Sequence, residues 1–171
     1  MATVTSLETG LVIREPALVA QALTAVGVTY EVWGTGRLPK DLRARDLSDP
    51  EKTAVLGAFA ADIARLKRER GYVTADVVTL YHDTPGLDEL LAKFDKPHLH
   101  RDPEVRFIVQ GRGVFELYPT HGQALAVELH PGDFITVPAN FKHLFRLCED
   151  RQITAIRLFS DPAGWVAHYV A

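Results

Sequence analysis

Apolar and polar positions change their rhythm along the chain. The stretch "REPALVAQALTAVGV" (14–28) reads as a short helix, with Pro16 suited to the first turn and Gly27 to the C-terminal cap. "TYEVWG" (29–34) then reads as a strand. "DPEKTAVLGAFAADIARLKRERG" (49–71) predicts the strongest helix. Its apolar residues Val55, Leu56, Phe59, Ile63 and Leu66 recur at helical spacing, Asp49 is the expected N-cap, and the basic end suits the helix dipole. "YVTADVVTLYH" (72–82) is β-branched and predicts a strand, and "TPGLDELLAKF" (84–94) a last short helix.

From His98 onward, strand follows short strand. "EVRFIVQG", "GVFELYP", "ALAVELHPGD", "FITVPANFKH", "LFRLCED" and "ITAIRLFS" are separated by turn signals, several of them Gly or Pro. Such spacing predicts a mainly β fold, a barrel or sandwich. The two helical segments ahead of it carry no linker-like sequence, so one domain is expected over 1–171, with an α/β N-terminal elaboration over 1–96 and a barrel core and tail over 97–171.

Composition narrows the partners. The chain has 171 residues, 47% of them apolar and 24% charged, with a net charge of −3, so no basic field recruits nucleic acid or anionic lipid. No apolar run is long enough to span a bilayer, and "MATVTSLETG" lacks the basic and apolar regions of a signal peptide. The one cysteine, Cys148, allows no internal disulfide and fits a reducing compartment. A cytoplasmic protein is expected, as a monomer ahead of an oligomer.

The titratable residues of "HLHRDPEVRFIVQGRGVFELY" interrupt this β pattern. Charged groups are costly to bury, so either they face water or something in the interior needs them. Residues i and i+2 of a strand share a face, roughly 6.5–7 Å apart, so His98 and His100 can converge on one metal ion. After the "RDP" turn, Glu104 opens the next strand and can reach the same ion. Downstream, Gly132, Pro138 and His143 frame a strand able to deliver a third imidazole. A lone His-x-His pair is better read as surface or hydrogen-bonded histidines; Glu104, Arg106 and the Gly-x5-Pro-x4-His element turn the reading towards a metal site. The histidines at 82, 121, 130 and 168 lack partners at ligand spacing and read as ordinary polar residues. Three imidazoles and one carboxylate suit Fe, Ni, Co or Mn rather than Ca or Mg.

Arg106 lies two residues after Glu104 and so faces the same way. Buried there, its guanidinium would orient Glu104 or stabilise another negative charge; otherwise it leaves through the barrel mouth. Alternation places Arg157 with Ile153, Ala155 and Phe159, which makes it a second candidate. Phe145 shares parity with His143 and could wall a pocket.

"HLHRDPEVRFIVQGRGVF" with "PGDFITVPANFKH" resembles the two cupin motifs. The spacing His-x-His-x3-Glu-x-Arg, the ending "AIRLFSDPAGWVAHY" and the opening "VGVTYEVW" are similar to the acireductone dioxygenase family in particular. That resemblance implies a double-stranded β-helix (jelly-roll) barrel holding one divalent metal through His98, His100, Glu104 and His143. It implies Fe(II) or Ni(II), one per chain, and a substrate pocket in which Phe141 and Trp165 join Phe145. It also implies a step of methionine salvage, in which O2 cleaves 1,2-dihydroxy-3-keto-5-methylthiopentene. The products would be 2-keto-4-methylthiobutyrate and formate with Fe(II), or methylthiobutyrate, formate and carbon monoxide with Ni(II). Pro97 and Pro103 stand where that family often has acidic residues, and Asn140 replaces the glycine of the general cupin pattern, a mild change because Asn tolerates the left-handed conformation. Two other functions use the same residues: a different metal-dependent cupin enzyme, such as an isomerase, and a non-catalytic cupin that binds a small molecule.

Overall fold

The computed structural model describes residues 1–43 and 45–171. Its elements are β1 (Thr3–Ser6), β2 (Val12–Ile13), α1 (Pro16–Ala25), β3 (Thr29–Val32), α2 (Asp49–Ala58), α3 (Ala60–Arg70), β4 (Thr74–Leu80) and α4 (Leu87–Leu91). There follow β5 (His98–Leu99), β6 (Glu104–Gly111), β7 (Gly113–Leu117), β8 (Leu125–Leu129), β9 (Asp133–Val137), β10 (His143–Leu147), β11 (Ile153–Phe159) and β12 (His168–Tyr169). All recorded strand pairings are antiparallel. They form a seven-stranded sheet in the order β12-β5-β10-β7-β8-β1-β2 and a five-stranded sheet in the order β3-β9-β6-β11-β4.

The two sheets pack face to face, as the jelly-roll expectation requires. Phe115, Leu117, Val127, Leu129 and Phe145 of the larger sheet share one core with Ile108, Ile135, Ile153 and Ala155 of the smaller. Strands from the N-terminal segment complete both sheets: β1 and β2 extend the larger one, and β3 and β4 edge the smaller. A second core lies on the other face of the smaller sheet. There Val55, Phe59, Ile63 and Leu66 of the helical segment pack on Val105, Phe107, Val109, Phe134 and Leu158. The smaller sheet is therefore covered on both sides. Burial along β6 is continuous for that reason, although its residues still alternate between two environments.

Two details of the helical segment differ from expectation. The single helix expected over 49–71 is two helices meeting at Phe59, whose φ of −115° and ψ of 20° leave the α region. Phe59 is fully buried against Phe107 and Trp33, with ring centroids 4.5 and 5.7 Å away, and Arg37 lies over its other side at 4.4 Å. The break accompanies the ring's place in that aromatic cluster. The N-cap is Ser48 rather than Asp49: its hydroxyl accepts from the Glu51 backbone N–H while the Glu51 carboxylate accepts from the Ser48 N–H, a capping box. Gly71, at φ 75°, closes α3 in the left-handed conformation.

One glycine of the β6–β7 corner has no substitute. Gly111 has φ 76°, and a Cβ there would lie 2.2 Å from the Gln152 carbonyl oxygen. The corner holds β6 and β7 in different sheets, so that residues of both line the space between them.

Candidate metal centre

Pairing register brings distant residues together at one end of the barrel. β5 is only two residues long, yet it pairs with β10 so that His98 lies opposite His143. On its other edge β5 carries β12, with Tyr169 opposite His98. His100 follows β5 directly, and the Asn140 backbone N–H donates to its carbonyl at 2.8 Å. Asn140 has φ 59°, the left-handed conformation that its replacement of glycine demanded. Glu104, the first residue of β6, faces the interior together with Arg106 and Ile108.

The four side chains His98, His100, Glu104 and His143 are each at most 1% exposed, and one ligand atom from each lies within 4.8 Å of all the others. Backbone carbonyls fix the imidazoles. The Nδ1–H groups of His98, His100 and His143 donate to the carbonyls of Lys96, Asp102 and Phe141, at 2.7, 2.6 and 2.6 Å. Each acceptor is two residues from its histidine, so the local chain itself turns Nε2 inward. The carbonyls of the residues just before Pro97 and Pro103 thus orient His98 and His100.

Glu104 divides its two oxygens. Oε1 accepts from Arg106 Nε at 2.7 Å, while Oε2 lies 2.9 Å from His100 Nε2 and 3.1 Å from His143 Nε2. His98 Nε2 is buried with no hydrogen-bond partner. A buried orphan lone pair beside two imidazoles and a carboxylate oxygen is a donor set fitted to a transition metal ion.

The charges agree. Burial pushes the Glu104 carboxyl upward, but the Arg106 guanidinium and the bonds from His100 and His143 outweigh it and hold the group well below the usual carboxylate range. Burial pulls His98 below its ordinary value, which favours the neutral, ligating form. Burial also pulls on His100, where the bond to Glu104 and its charge prevail and raise the value. To hold an ion, His100 and Glu104 would both need their lone pairs, so the proton they share would have to leave.

Around this cluster stand the other residues singled out in the sequence. Arg106 is 5% exposed, with its guanidinium carbon 4.4, 5.1 and 5.9 Å from the ring centroids of Phe145, Trp165 and Phe115. Trp165 stacks on His100 at 6.0 Å and donates its Nε1–H to the Pro103 carbonyl at 3.2 Å. Arg157 lies next to Arg106 across β6 and β11, and its guanidinium forms a two-point bond with Asp76. Phe141 contributes its carbonyl to His143, and its side chain lines a surface cleft with Leu99, Tyr118 and Lys142.

Several neighbours escaped the sequence reading. Phe94 and Phe115 pack at 6.0 and 5.9 Å from His98 and His143, and Phe159 at 4.6 Å from Trp165. Nothing local marks these rings as site residues. Asp76 did leave a signal: it is an acidic residue in the middle of the β-branched "TADVVTL".

Known proteins match both chain and fold. A family model described as the ARD/ARD' family matches residues 42–167. The acireductone dioxygenase of Bacillus anthracis is 43% identical over 170 residues, covering 99% of this chain and all of that one. That of Bacillus cereus is 45% identical over 152 residues, 88% of this chain and 89% of its own. The solved acireductone dioxygenase from Bacillus anthracis with a cadmium ion in its active center superposes with a TM-score of 0.94 and 42% identity, over 99% of this chain and 98% of that one.

Proposed function

The chain belongs to the ARD/ARD' family, the acireductone dioxygenases, and from that premise we propose how its buried tetrad serves the reaction. The protein is a metal-dependent dioxygenase that cleaves an acireductone with O2. The observation that carries the site assignment is the convergence of one ligand atom from each of three histidines and Glu104 within 4.8 Å in a buried space. His98, His100, Glu104 and His143 hold one Fe(II) or Ni(II). With no thiolate in the set, several first-row ions are accepted. Bound there, an ion would supply Lewis acidity and a template for the substrate.

The remaining work falls to the chain. Arg106 holds Glu104 through Oε1, which leaves Oε2 turned towards the histidines. Its other N–H groups are left to donate to a substrate enediolate, which would favour its anionic form. Phe145 and Trp165 cover the guanidinium and keep water from it, which strengthens its field. Arg157, partly exposed beside Arg106, draws in the anionic substrate. Phe145 and Trp165 bound the room for an apolar tail, whereas Phe141, expected beside them, lines the separate surface cleft. The substrate is 1,2-dihydroxy-3-keto-5-methylthiopentene, in methionine salvage. Among the described residues no helix is long and apolar enough to cross a membrane. A cytoplasmic compartment is the reading favoured by a free Cys148, and a monomer is the form expected.

The test is metal analysis of the purified protein, followed by removal of the ion and separate reloading with Fe(II) and Ni(II). With this acireductone and O2, formate is expected from both forms and carbon monoxide from the Ni(II) form alone. Identical products at comparable turnover would remove the dual chemistry. No O2 uptake by either form would remove the reaction.

A further inference from the structure

We propose that Asp76 is a positioning residue of the metal centre: it holds Arg157 away from Glu104 and so keeps Oε2 free for the ion. The inference rests on reading the four buried ligands as a metal site. Three strands of the smaller sheet set a row of charges at one level. β4 places Asp76 opposite Arg157 of β11, and β6 places Arg106 opposite Arg157 on the other side. Two guanidiniums directly opposite each other across an antiparallel pair repel. Glu104 lies two residues along β6 from Arg106, so it is the diagonal neighbour of Arg157, within reach of a long side chain. Arg157 therefore has two carboxylates to choose from, and only one of them belongs to the metal centre.

Asp76 settles the choice by geometry. Arg157 Nε donates to its Oδ1 at 2.9 Å and Nη2 to its Oδ2 at 2.6 Å, a fork-to-fork pair that fixes the plane of the guanidinium. Glu104 meanwhile receives a single guanidinium nitrogen, Arg106 Nε on Oε1. Freed from Asp76, Arg157 would move towards the buried carboxylate, since an unpaired guanidinium takes the strongest acceptor in reach. Oε2 would then be blocked by a cation where the ion belongs. Part of Arg157 and nearly half of Asp76 are open to solvent, with side-chain exposures of 28% and 46%, so the swing needs no repacking of the core.

The experiment is titration of the ion-stripped full chain with Ni(II), read as affinity by calorimetry, with turnover followed separately. Asp76→Ala is expected to weaken Ni(II) binding about 10–100-fold. Arg157→Ala alone should bind near the wild-type value, and the double variant Asp76→Ala/Arg157→Ala should regain that value while its turnover stays low. A generally damaged fold would not be repaired by a second truncation, so this rescue separates positioning from structure. If Asp76→Ala does not fold, Asp76→Asn, which preserves shape and one acceptor, is expected to show a smaller loss that Arg157→Ala again removes. Asp76 variants that bind Ni(II) as tightly as wild type, or a double variant as weak as Asp76→Ala, would overturn the proposal. A wild-type chain that takes up no Ni(II) would instead overturn the metal-centre reading beneath it.

Discussion

Along β6, Glu104 and Arg106 face the space between the sheets, Val105 and Phe107 face the helical layer, and none of the four is more than 5% exposed. The two faces of one strand thus bury equally and differ in what they bury. On the helical side Phe107, Phe59, Phe134 and Trp33 form an aromatic cluster with centroid separations of 4.4–5.7 Å. That side removes apolar surface from water and asks for no partner chemistry. On the inner side a carboxylate, a guanidinium and three imidazoles are buried, and each polar atom must find a counterpart. The pairs found are Oε1 with Arg106 and Oε2 with two imidazoles. His98 Nε2 is left over, buried without a hydrogen-bond partner beside the other three side chains. The helical face contributes stability, and the inner face uses some of it to hold charges where water would otherwise take them.

The sharpest break of this comparison is a pair of truncations. Glu104→Ala leaves Arg106 buried without its carboxylate, a loss of about 3–5 kcal/mol, and removes the bound ion. Phe107→Ala is expected to cost a similar ~3–5 kcal/mol through the cavity it opens, while its folded fraction still binds one ion. Denaturant unfolding and metal analysis of the same preparations check both. Ion loss in folded Phe107→Ala would mean that the two faces are not separable.

Next in size is removal of the ion. At free metal about 100 times its dissociation constant, the loaded protein should be more stable by ~2.7 kcal/mol, and chelation should lower Tm by about 5–10 °C. Thermal melts of wild type and Phe107→Ala should both respond to chelator, whereas Glu104→Ala should not. Within the inner face, Arg106→Lys keeps the charge but loses the planar fork. Turnover should fall about tenfold, ~1.4 kcal/mol of barrier, with ion content nearly unchanged. A normally folded variant with unchanged rate would make Arg106 purely structural.

The smallest effect belongs to the helical layer. Ser48→Ala should cost about 1 kcal/mol of stability and leave ion binding untouched. Its partner Glu51 is held below the usual carboxylate range, chiefly by the hydrogen bond from the Ser48 backbone N–H. A carboxyl depressed in the folded state contributes stability above its unfolded pKa and loses it as pH falls through the depressed folded value. Acid unfolding of Glu51→Gln should therefore lack that part of the decline, and curves of identical shape for the two proteins would deny the capping box a charged component.

Local patterns carried much of this. "EVRFIVQG" and "ITAIRLFS" are strands at the places their alternation indicates, and Val55, Phe59, Ile63 and Leu66 form the buried stripe of the helical segment. The strands β1, β2 and β12 left no comparable trace. β2 and β12 are two residues each, too short for a period to register; β2 is held by its neighbour β1, and β12 by β5, far back along the chain. The interruption at Phe59 was equally hidden, since the heptad-like spacing runs straight through it.

The sequence by itself determined which residues share a face, because a strand repeats every two residues and a helix every 3.6, and those periods need no tertiary information. It put His98 with His100, and Glu104 with Arg106, and it marked His143 as a candidate third imidazole. Only the tertiary structure decided that His98 meets His143 through β5 and β10, that Asp76 rather than Glu104 takes Arg157, and that main-chain carbonyls orient all three imidazoles. Register across strands is set by the packing of whole sheets, and a choice between two carboxylates for one guanidinium is made in space, where separation along the chain has no weight.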